Sequence, residues 1–299
     1  MRVYYSDHYP VPLPPGHRFP IEKYALLRQE LLGRGIFSPN ELVPSLPIDA
    51  ETVLLAHTPA YVQSVLEGTL ERRIERQIGL PWSPALVQRT LAGVGGTLAA
   101  VHQALADGIS GNLAGGTHHA SAGEGAGFCV FNDLAVASLA LLKAGRVRRL
   151  AVIDLDVHQG NGTAAILGAR HEVFLFSLHC ENNYPLRKVP STLDIGLPDR
   201  TGDMDYLVAL ERGLAAVLTF RPGLVFFQAG VDVLAADKLG RLALTMEGLE
   251  RRDRTVLSAC KEACIPVVIV MGGGYAEPLN LTVQAHAQTY RVAREVFPG

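Results

Sequence analysis

Short segments in which every residue is apolar recur along this chain, and they constrain its fold more than any other feature. Residues 151–153 and 267–270 are two examples, and neither shows the alternation of apolar and polar side chains that a half-exposed strand requires. Strands that are buried on both faces are typical of a parallel sheet covered by helices on each side. Because these segments alternate with helical stretches, we predict an open, doubly wound α/β sheet.

The predicted elements follow one another without a break in composition. No internal repeat or low-complexity segment divides the chain, and 48% of its residues are hydrophobic, which is enough for a large core. We therefore expect residues 1–299 to form a single domain. Candidate strands are 3–6, 111–115, 150–154, 173–179, 224–229 and 266–271. Candidate helices are 21–34, 58–70, 84–107, 132–144, 161–169, 203–220, 245–263 and 279–296, and 71–82 is predicted to be a connector.

Composition and charge exclude several classes of protein. The net charge of −2 argues against a protein whose main ligand is nucleic acid, because the phosphate backbone requires a basic surface. The four cysteines lack the paired spacing of a disulfide framework or a zinc knuckle, and Cys260 and Cys264 are predicted to be two buried thiols on one helix face. The start of the chain does not resemble a signal peptide, and no apolar run is long enough to span a bilayer. We therefore expect a soluble cytoplasmic protein without a membrane partner.

Titratable residues follow almost every predicted central strand. In a doubly wound sheet the carboxyl ends of the strands lie along one edge, and functional groups collect there. Any one of these residues has an ordinary structural explanation, but their recurrence at the same position in successive units indicates a site. The residues are His118, His119, Asp154, Asp156, His158, His179, Asp232, Asp237 and Tyr275.

The Asp-x-Asp-x-His run at 154–158 is the strongest metal signal. Residues two apart in an extended backbone point to the same side, so we expect Asp154, Asp156 and His158 to share a face. Two carboxylates and an imidazole on one buried face favour a bound cation that offsets their repulsion. A catalytic zinc ion takes three protein ligands, which Asp156, His158 and Asp232 would supply. Ferrous iron is an alternative, because carboxylate-rich sites accept harder ions.

Two adjacent histidines, His118 and His119, are candidates for proton transfer. An imidazole titrates near neutral pH, so it can take a proton from an attacking water and return it to a leaving amine. Each ring needs a partner that fixes its tautomer, and Asp154 and Asn161 are the candidates. A carboxylate raises the pKa of its histidine far more than an amide does, so we expect the two histidines to differ in basicity.

Two glycine-rich segments carry aromatic residues. Tyr275 follows three glycines, which permit a close backbone approach, and its phenol is a candidate donor to a substrate oxyanion. Phe128 lies in a glycine-rich loop and is predicted to line a narrow channel. Asn132 or Asp133, at the end of that loop, is a natural cap for the following helix.

Taken together, these motifs resemble the histone deacetylase superfamily. The resemblance extends from Tyr5 to Tyr275 and implies the arginase/deacetylase fold, a parallel sheet of about eight strands wrapped by helices. It also implies an enzyme, a zinc-dependent hydrolase that removes an acyl group from an amine such as a lysine side chain. The segments that carry the resemblance are 116–119, 127–129, 154–162, 177–179, 230–240 and 272–275.

The resemblance also implies roles for individual residues. The metal ligands that it implies are Asp156, His158 and Asp232. The catalytic residues are His118, His119, Tyr275, Asp154 and Asn161, with His119 as general base and acid. The substrate-binding residues are Gly127, Phe128, Tyr184 and Gly273. Backbone oxygens around Asp154, Asp156, His158, Ser177 and Leu178 are implied to hold a structural potassium ion.

Within the superfamily, residues 16–20 and 158–162 are most similar to class IV members. Class I members carry Asp at the Asn161 position, and the acidic residue with which they grip the substrate backbone has no match near 79–82. Class IV relatives are associated with hydrolysis of long-chain acyl-lysine, which implies a wide pocket. The substrate class stays open between acetyl- or fatty-acyl-lysine and acylated polyamines or other small amides.

Two other functions compete with this interpretation. A dimanganese ureohydrolase of the same fold would need further Asp ligands, but Asp232 is followed by two apolar residues, 233–234. A module that binds acyl groups without chemistry would have lost its acid, base or oxyanion donor, whereas His118, His119 and Tyr275 are all present. The number of metal ions per chain distinguishes the first of these from a deacetylase.

Overall fold

One sheet of eight strands forms the centre of the computed structural model, which describes residues 1–298. The strands are β1 (Val3–Tyr5), β2 (Leu42–Pro44), β3 (Ile109–Asn112), β4 (Leu150–Asp154), β5 (Val173–Cys180), β6 (Leu193–Leu197), β7 (Val225–Gln228) and β8 (Val267–Val270). Their order is β2-β1-β3-β8-β7-β4-β5-β6, and every neighbouring pair is parallel. The predicted parallel, doubly wound sheet of about eight strands is confirmed.

Helices cover both faces of this sheet. They are α1 (Lys23–Gly33), α2 (Ala50–Val53), α3 (Pro59–Glu67), α4 (Arg72–Ile78), α5 (Pro84–Asp107), α6 (Asp133–Lys143), α7 (Asn161–Leu167), α8 (Asp203–Phe220), α9 (Met246–Glu262) and α10 (Leu279–Val296). Helices α1, α8, α9 and α10 contribute to the apolar core on one side, and α3, α5, α6 and α7 contribute to the core on the other. No helix among residues 1–298 has the length and apolar character to cross a bilayer.

Side chains alternate between these two cores along each central strand. In β4, Ile153 packs into the core that α8 and α9 complete, and its neighbour Val152 packs into the opposite core. Phe227 and Phe226 of β7 divide in the same way, and all four side chains are fully buried or nearly so. This is the physical reason that the strands are apolar without alternation.

Close packing of α8 on the sheet depends on a glycine. A Cβ atom built on Gly213 would lie 2.0 Å from Cζ of Phe176, which projects from β5. Any larger residue at position 213 would push the helix off the strand, so the glycine allows the close approach of these two elements.

Both edge regions of the sheet differ from the sequence-based expectations. Strands β2 and β6 were not predicted, because β2 has only three residues and β6 alternates between half-buried and exposed positions before its buried last residue, instead of forming an apolar run. Edge strands need only one buried face, so they lack the signal that identifies the central strands. Strand β3 comprises Ile109–Asn112, which means that the predicted 111–115 is displaced towards the following loop.

Two further predictions are wrong. The predicted connector 71–82 contains α4, a short helix rich in charged residues, which places only Ile78 in the core and ends at Gly79 with a φ of +73°. Cys264 is exposed with a φ of +55°, because it lies beyond the end of α9, whereas Cys260 is buried as expected. All four cysteines are free.

Candidate active site

The carboxyl ends of four adjacent strands form the floor of a large cavity. In the order β3-β8-β7-β4, these strands lead into loops that carry the histidine pair, Tyr275, Asp232 and the Asp156–His158 segment. The cavity has a volume of about 630 Å³. Residues that are far apart in the chain therefore meet because the two last strands, β7 and β8, lie between β3 and β4.

Asp156, His158 and Asp232 form a compact cluster in this cavity. One potential ligand atom from each residue lies within 4.8 Å of the other two. Nδ1 of His158 is 3.0 Å from Oδ1 of Asp156 and 3.1 Å from Oδ2 of Asp232. Two carboxylates that converge on one imidazole nitrogen make a donor set that suits zinc.

The loop backbone orients these carboxylates. The amide of Val157 donates to Oδ1 of Asp232 at 2.9 Å, and the amide of Gly273 donates to Oδ2 of Asp156 at 2.6 Å. A Cβ atom on Gly273 would lie 1.9 Å from Oδ2 of Asp232. Glycine at position 273 is thus a requirement of the cluster, since no side chain fits between the loop and the carboxylate.

The pKa values of His158 and Asp232 are both raised, so the cluster favours bound positive charge. Burial disfavours the charged imidazole of His158, but its hydrogen bonds to Asp156 and Asp232 outweigh burial and raise its pKa to about 10. Burial, together with the negative charge of Asp156, raises the pKa of Asp232 to about 7. A dication at the cluster would replace these protons, so the residues fit a bound zinc ion.

Asp154 does not belong to this cluster, and the extended backbone assumed for 154–158 is wrong. Strand β4 ends at Asp154, and the chain then bends, so that Oδ1 of Asp154 accepts a hydrogen bond from the amide of Asp156 at 3.2 Å. Oδ2 of Asp154 lies 2.7 Å from Nδ1 of His118. Asp156 and His158 converge because of the bend, not because of strand alternation.

The two histidines have different partners. Nδ1 of His118 faces the carboxylate of Asp154, and Nδ1 of His119 lies 2.8 Å from Oδ1 of Asn161. Their ring centroids are 4.1 Å apart, and both rings are buried. Asp154 and Asn161 are the two candidate partners named from the sequence, and the structure places one of them at each ring.

Their pKa values move in opposite directions. Burial opposes protonation of His118, but the charges of Asp154 and Asp156 are stronger and raise its pKa to about 9. Burial, followed by the positive charges of His118 and His158, lowers the pKa of His119 well below 6.5. His118 is therefore the more basic of the two adjacent imidazoles.

Tyr275 lies in the loop after β8, directly behind three glycines. Its backbone amide donates to Oδ2 of Asp237 at 2.6 Å, and Asp237 also accepts from the amides of Leu239 and Gly240. Burial, with the negative charge of Asp232 as the next cause, raises the pKa of the Tyr275 phenol well above 10. The phenol stays protonated at neutral pH and can donate a hydrogen bond.

Aromatic rings form the walls of the cavity. Phe128 has a φ of +65°, and this uncommon backbone directs its ring to within 6.0 Å of the Tyr275 ring. A Cβ atom on Gly127 would lie 2.6 Å from Cδ2 of His119, so the loop can pass beside the histidine only with glycine there. The Tyr184 ring stands edge-on to His119 at 4.9 Å and is 44% exposed at the mouth.

The predicted potassium ligands lie where β4 ends beside the last residues of β5. Asp154 pairs with Ser177 in the parallel register of these strands, and Leu178 follows directly. The amide of Cys180 donates to the carbonyl of Val157, which holds the loop after β4 against β5. The assignment of a monovalent cation to these residues stays a prediction.

Two buried cations near the site were not predicted from the sequence. Lys23 is 1% exposed, and its Nζ donates to the carbonyl of Gly274 at 3.3 Å and lies 4.9 Å from the centre of the Tyr275 ring. Arg252 is fully buried and donates to the carbonyl of Gly230 at 2.5 Å. Each basic residue lies on the otherwise apolar stripe of its helix. This position is the sequence signal that could have identified it as buried. The stripes are Lys23, Leu27 and Leu31 in α1, and Leu249, Arg252 and Val256 in α9.

Comparison with known sequences gives consistent matches. A family model described as the histone deacetylase domain matches residues 17–290. An uncharacterized protein of Picosynechococcus sp. is 46% identical over 99% of both chains. Histone deacetylase 2 of Arabidopsis thaliana is 31% identical over 87% of this chain and 70% of its own length. A probable deacetylase of Archaeoglobus fulgidus is 30% identical over 91% of this chain and 79% of its own.

Solved structures resemble this fold over its whole length. The crystal structure of an HDAC homologue complexed with SAHA has a TM-score of 0.83 at 24% identity and covers 99% of this chain and 88% of its own. An HDAC homologue from Aquifex aeolicus has a TM-score of 0.83 at 23% identity, with the same coverage. At this level of identity the likeness establishes the fold, which is the arginase/deacetylase arrangement expected from the sequence.

Proposed function

The chain belongs to the histone deacetylase family, and on this basis we propose that it is a zinc-dependent amidohydrolase that removes acyl groups from lysine side chains. One observation carries the proposal. A metal-ligating cluster, a histidine pair with opposite pKa shifts and a protonated phenol line the same cavity. This is the combination that hydrolysis of an unactivated amide requires.

Asp156, His158 and Asp232 would hold the zinc ion. When bound, zinc would supply a Lewis acid that polarises the acyl carbonyl and acidifies a water molecule. The backbone amides of Val157 and Gly273 keep the carboxylates oriented towards one point, as described above. Ligand orientation by such outer hydrogen bonds contributes to both metal affinity and activity.

His119 is proposed as the base that accepts a proton from the attacking water. Its Nδ1 is directed at the amide oxygen of Asn161, so Nδ1 carries the hydrogen and Nε2 is the free acceptor. Its lowered pKa keeps the ring neutral before the attack. A protonated histidine of the pair then gives a proton to the leaving amine, and the carboxylate of Asp154 stabilises the positive charge on His118.

Tyr275 is proposed as the donor to the oxygen that becomes negative during the attack. Its raised pKa ensures that the hydroxyl proton is present at neutral pH. The ammonium group of Lys23 lies on the face of the same ring and is itself fully buried, which holds the phenol in place from behind. In other enzymes, one oxyanion donor of this kind contributes about 3–4 kcal/mol to transition-state stabilisation.

The proposed substrate is an acylated lysine that enters between Phe128 and Tyr184. A lysine side chain is long and slender, so it suits a cavity walled by aromatic rings with the reactive groups at its base. The structural likeness to an HDAC homologue complexed with SAHA supports a ligand of this shape. Potassium at the ends of β4 and β5, and membership of class IV, are further parts of the proposal.

Hydrolysis of acyl-lysine peptides tests this function directly. Purified, zinc-replete protein is incubated with lysine peptides that carry acyl chains from acetyl to myristoyl, with a chelator-treated sample as control. Acyl release that the chelator abolishes, from protein that holds one zinc ion per chain, is the expected result. Release only from acetylated polyamines would shift the proposal to small amines, and two metal ions per chain would support a ureohydrolase instead.

A further inference from the structure

A fully buried ion pair lies next to the loops that carry the metal-ligand cluster. Arg252 and Asp253 of α9 are both 0% exposed, and Nε of Arg252 donates to Oδ1 of Asp253 at 2.8 Å. The other carboxylate oxygen accepts a hydrogen bond from the Thr289 hydroxyl of α10 at 2.6 Å. Replacement of a buried ion pair by apolar residues is often neutral for stability, so this pair indicates a role that requires a guanidinium.

The guanidinium of Arg252 contacts two loops of the active site. Its Nη1 donates to the carbonyl of Gly230 at 2.5 Å and, in a longer hydrogen bond of 3.4 Å, to the carbonyl of Leu155. Leu155 lies directly before the proposed ligand Asp156, in the loop after β4. Gly230 lies two residues before the proposed ligand Asp232, in the loop after β7. Arg252 therefore joins the same two loops that a metal ion would join.

These contacts begin where the pairing of β4 and β7 gives way to loops. The amide of Leu155 donates to the carbonyl of Gln228 at 3.1 Å, which extends the backbone ladder one residue past the end of β4. Beyond that point, side chains connect the two loops. Arg252 binds a carbonyl of each loop, and the carboxylate of Asp232 accepts from the amide of Val157.

The two peptide units that Arg252 binds are also held through their N–H groups. The N–H of the peptide after Leu155 donates to Oδ1 of Asp154 at 3.2 Å. The N–H of the peptide after Gly230 donates to the carbonyl of Gly273 at 2.9 Å. With both polar groups bonded, each peptide plane is fixed, and so is the direction in which the chain continues to its metal ligand.

The space between the two loops has little tolerance. A Cβ atom built on Gly230 would lie 2.6 Å from Oδ2 of Asp156, so the loop after β7 passes against that carboxylate. A displaced Gly230 carbonyl would consequently change the space that the Asp156 side chain occupies. Interiors packed this closely transmit small shifts to their neighbours.

We propose that Arg252, oriented by Asp253, is a positioning residue for the metal centre. It fixes the spacing of the loops after β4 and β7, so that Asp156 and Asp232 converge on one ion. The inference rests on the proposed function, because it requires a metal ion at the cluster. Arginine suits this position because its planar fork binds a carboxylate and backbone carbonyls at the same time, which the single ammonium group of a lysine does not match.

A variant without the ion pair tests this role. Arg252→Met combined with Asp253→Asn removes both charges together, so no unpaired charge stays buried, and the asparagine oxygen can still accept from Thr289. We expect the zinc dissociation constant, measured by competition with a chromogenic chelator, to rise about 10- to 100-fold, the usual effect of losing an outer partner of a metal site. The visible absorption spectrum of the Co²⁺-substituted protein should also change, because it reports the geometry of the ligands.

Arg294→Met combined with Glu41→Gln is the matched control. Arg294 of α10 also donates to a backbone carbonyl, that of Ile36 at 3.1 Å, and also pairs with a carboxylate, that of Glu41. Both partners precede β2, at the edge of the sheet, and not the strands that carry the site. Zinc affinity and the Co²⁺ spectrum should therefore match those of the wild type.

Arg252→Lys keeps the inference testable if the double variant at 252 and 253 does not fold. It retains a cation beside Asp253 but lacks the fork, so we expect folded protein with weakened zinc binding. Thermal unfolding of the metal-free proteins shows which variants are folded.

Two outcomes would overturn the inference. One is a wild-type zinc dissociation constant in a folded variant of Arg252. The other is an equal loss of zinc affinity in the control, which would show that any destabilisation weakens the metal site. A wild type that binds no zinc would contradict the proposed function as well. If the wild type binds zinc and hydrolyses acyl-lysine peptides while the Arg252 variants match its zinc affinity, only the inference fails.

Discussion

The adjacent histidines His118 and His119 have pKa values that shift in opposite directions, and their hydrogen-bond partners differ. His118 faces a carboxylate and has a pKa of about 9, whereas His119 faces an amide oxygen and has a pKa well below 6.5. Both rings are buried, so burial alone cannot account for the difference. The partner of each ring thus determines which histidine is the neutral base at the start of the reaction.

Replacement of Asn161 tests this account through pH dependence. Asn161→Asp places a negative charge beside Nδ1 of His119, which should raise the pKa of that ring. Because the base must be neutral, activity should then be lost at a higher pH as the solution is acidified. The measurement is kcat/KM from about pH 5 to 9. The pH at which activity falls to half on the acidic side is expected to increase. An unchanged value of this pH would show that His119 is not the base.

Removal of the Tyr275 hydroxyl tests the oxyanion donor. Tyr275→Phe retains the ring that packs near Phe128 and Lys23, so fold and metal content should be preserved. We expect kcat to fall about 10²- to 10³-fold, as for the loss of one oxyanion donor elsewhere. Steady-state kinetics and metal analysis on the same sample give both quantities. A variant with the wild-type rate would refute the assignment.

At the scale of elements, helix α6 links the active-site loops to the core. Its N-cap is Asn132, one of the two candidate caps that the sequence offered, and it accepts a hydrogen bond from the amide of Ala135. The same side chain donates to the carbonyl of Ala120 and to the hydroxyl of Thr163. One buried amide group therefore joins the start of α6, the loop after the histidine pair and helix α7.

Asn132→Ala should destabilise the protein and also reduce activity. The loss of the cap and of two buried hydrogen bonds is expected to lower the free energy of unfolding by about 2–4 kcal/mol. Urea denaturation measures this change. Asn132→Asp is the control, because it retains the capping oxygen but cannot donate to Ala120 and Thr163, so it should lose less stability. Equal stability of the wild type and Asn132→Ala would contradict this description of the helix start.

At the scale of the whole molecule, strand order creates the site. Strands β7 and β8 enter the sheet between β3 and β4, although they follow both in the chain. The loops after these four strands therefore meet above the middle of the sheet. A metal ion held by Asp156, His158 and Asp232 would join the loop after β4 to the loop after β7.

Metal removal should consequently lower the stability of the entire domain. At a free zinc concentration about a thousandfold above its dissociation constant, binding stabilises the folded state by about 4 kcal/mol. We expect the melting temperature to fall when a chelator is added and to recover with excess zinc. Asp232→Ala, which removes one ligand, should show little response to either treatment. If the chelator does not change the melting temperature of the wild type, the result would argue against a metal centre.

The sequence by itself determined the central strands, the long helices and the types of residue at the strand ends. The central strands could be predicted because buried strands require unbroken apolar segments. The residue types could be predicted because a metal site requires carboxylate and imidazole ligands in any fold. The edge strands β2 and β6 and the short helix α4 escaped prediction, since their residues bury only a small surface and carry little pattern.

Only the tertiary structure decided which of these groups meet. Asp154 and Asn161 were candidate partners of the histidine pair, but only the fold assigned Asp154 to His118 and Asn161 to His119, each across more than 35 residues of chain. The convergence of Asp156 and His158 likewise depends on the bend of the chain after β4. The fold also buried Lys23 beside Tyr275. Burial and distance control pKa values and pairing, and both depend on contacts between segments that no local pattern encodes.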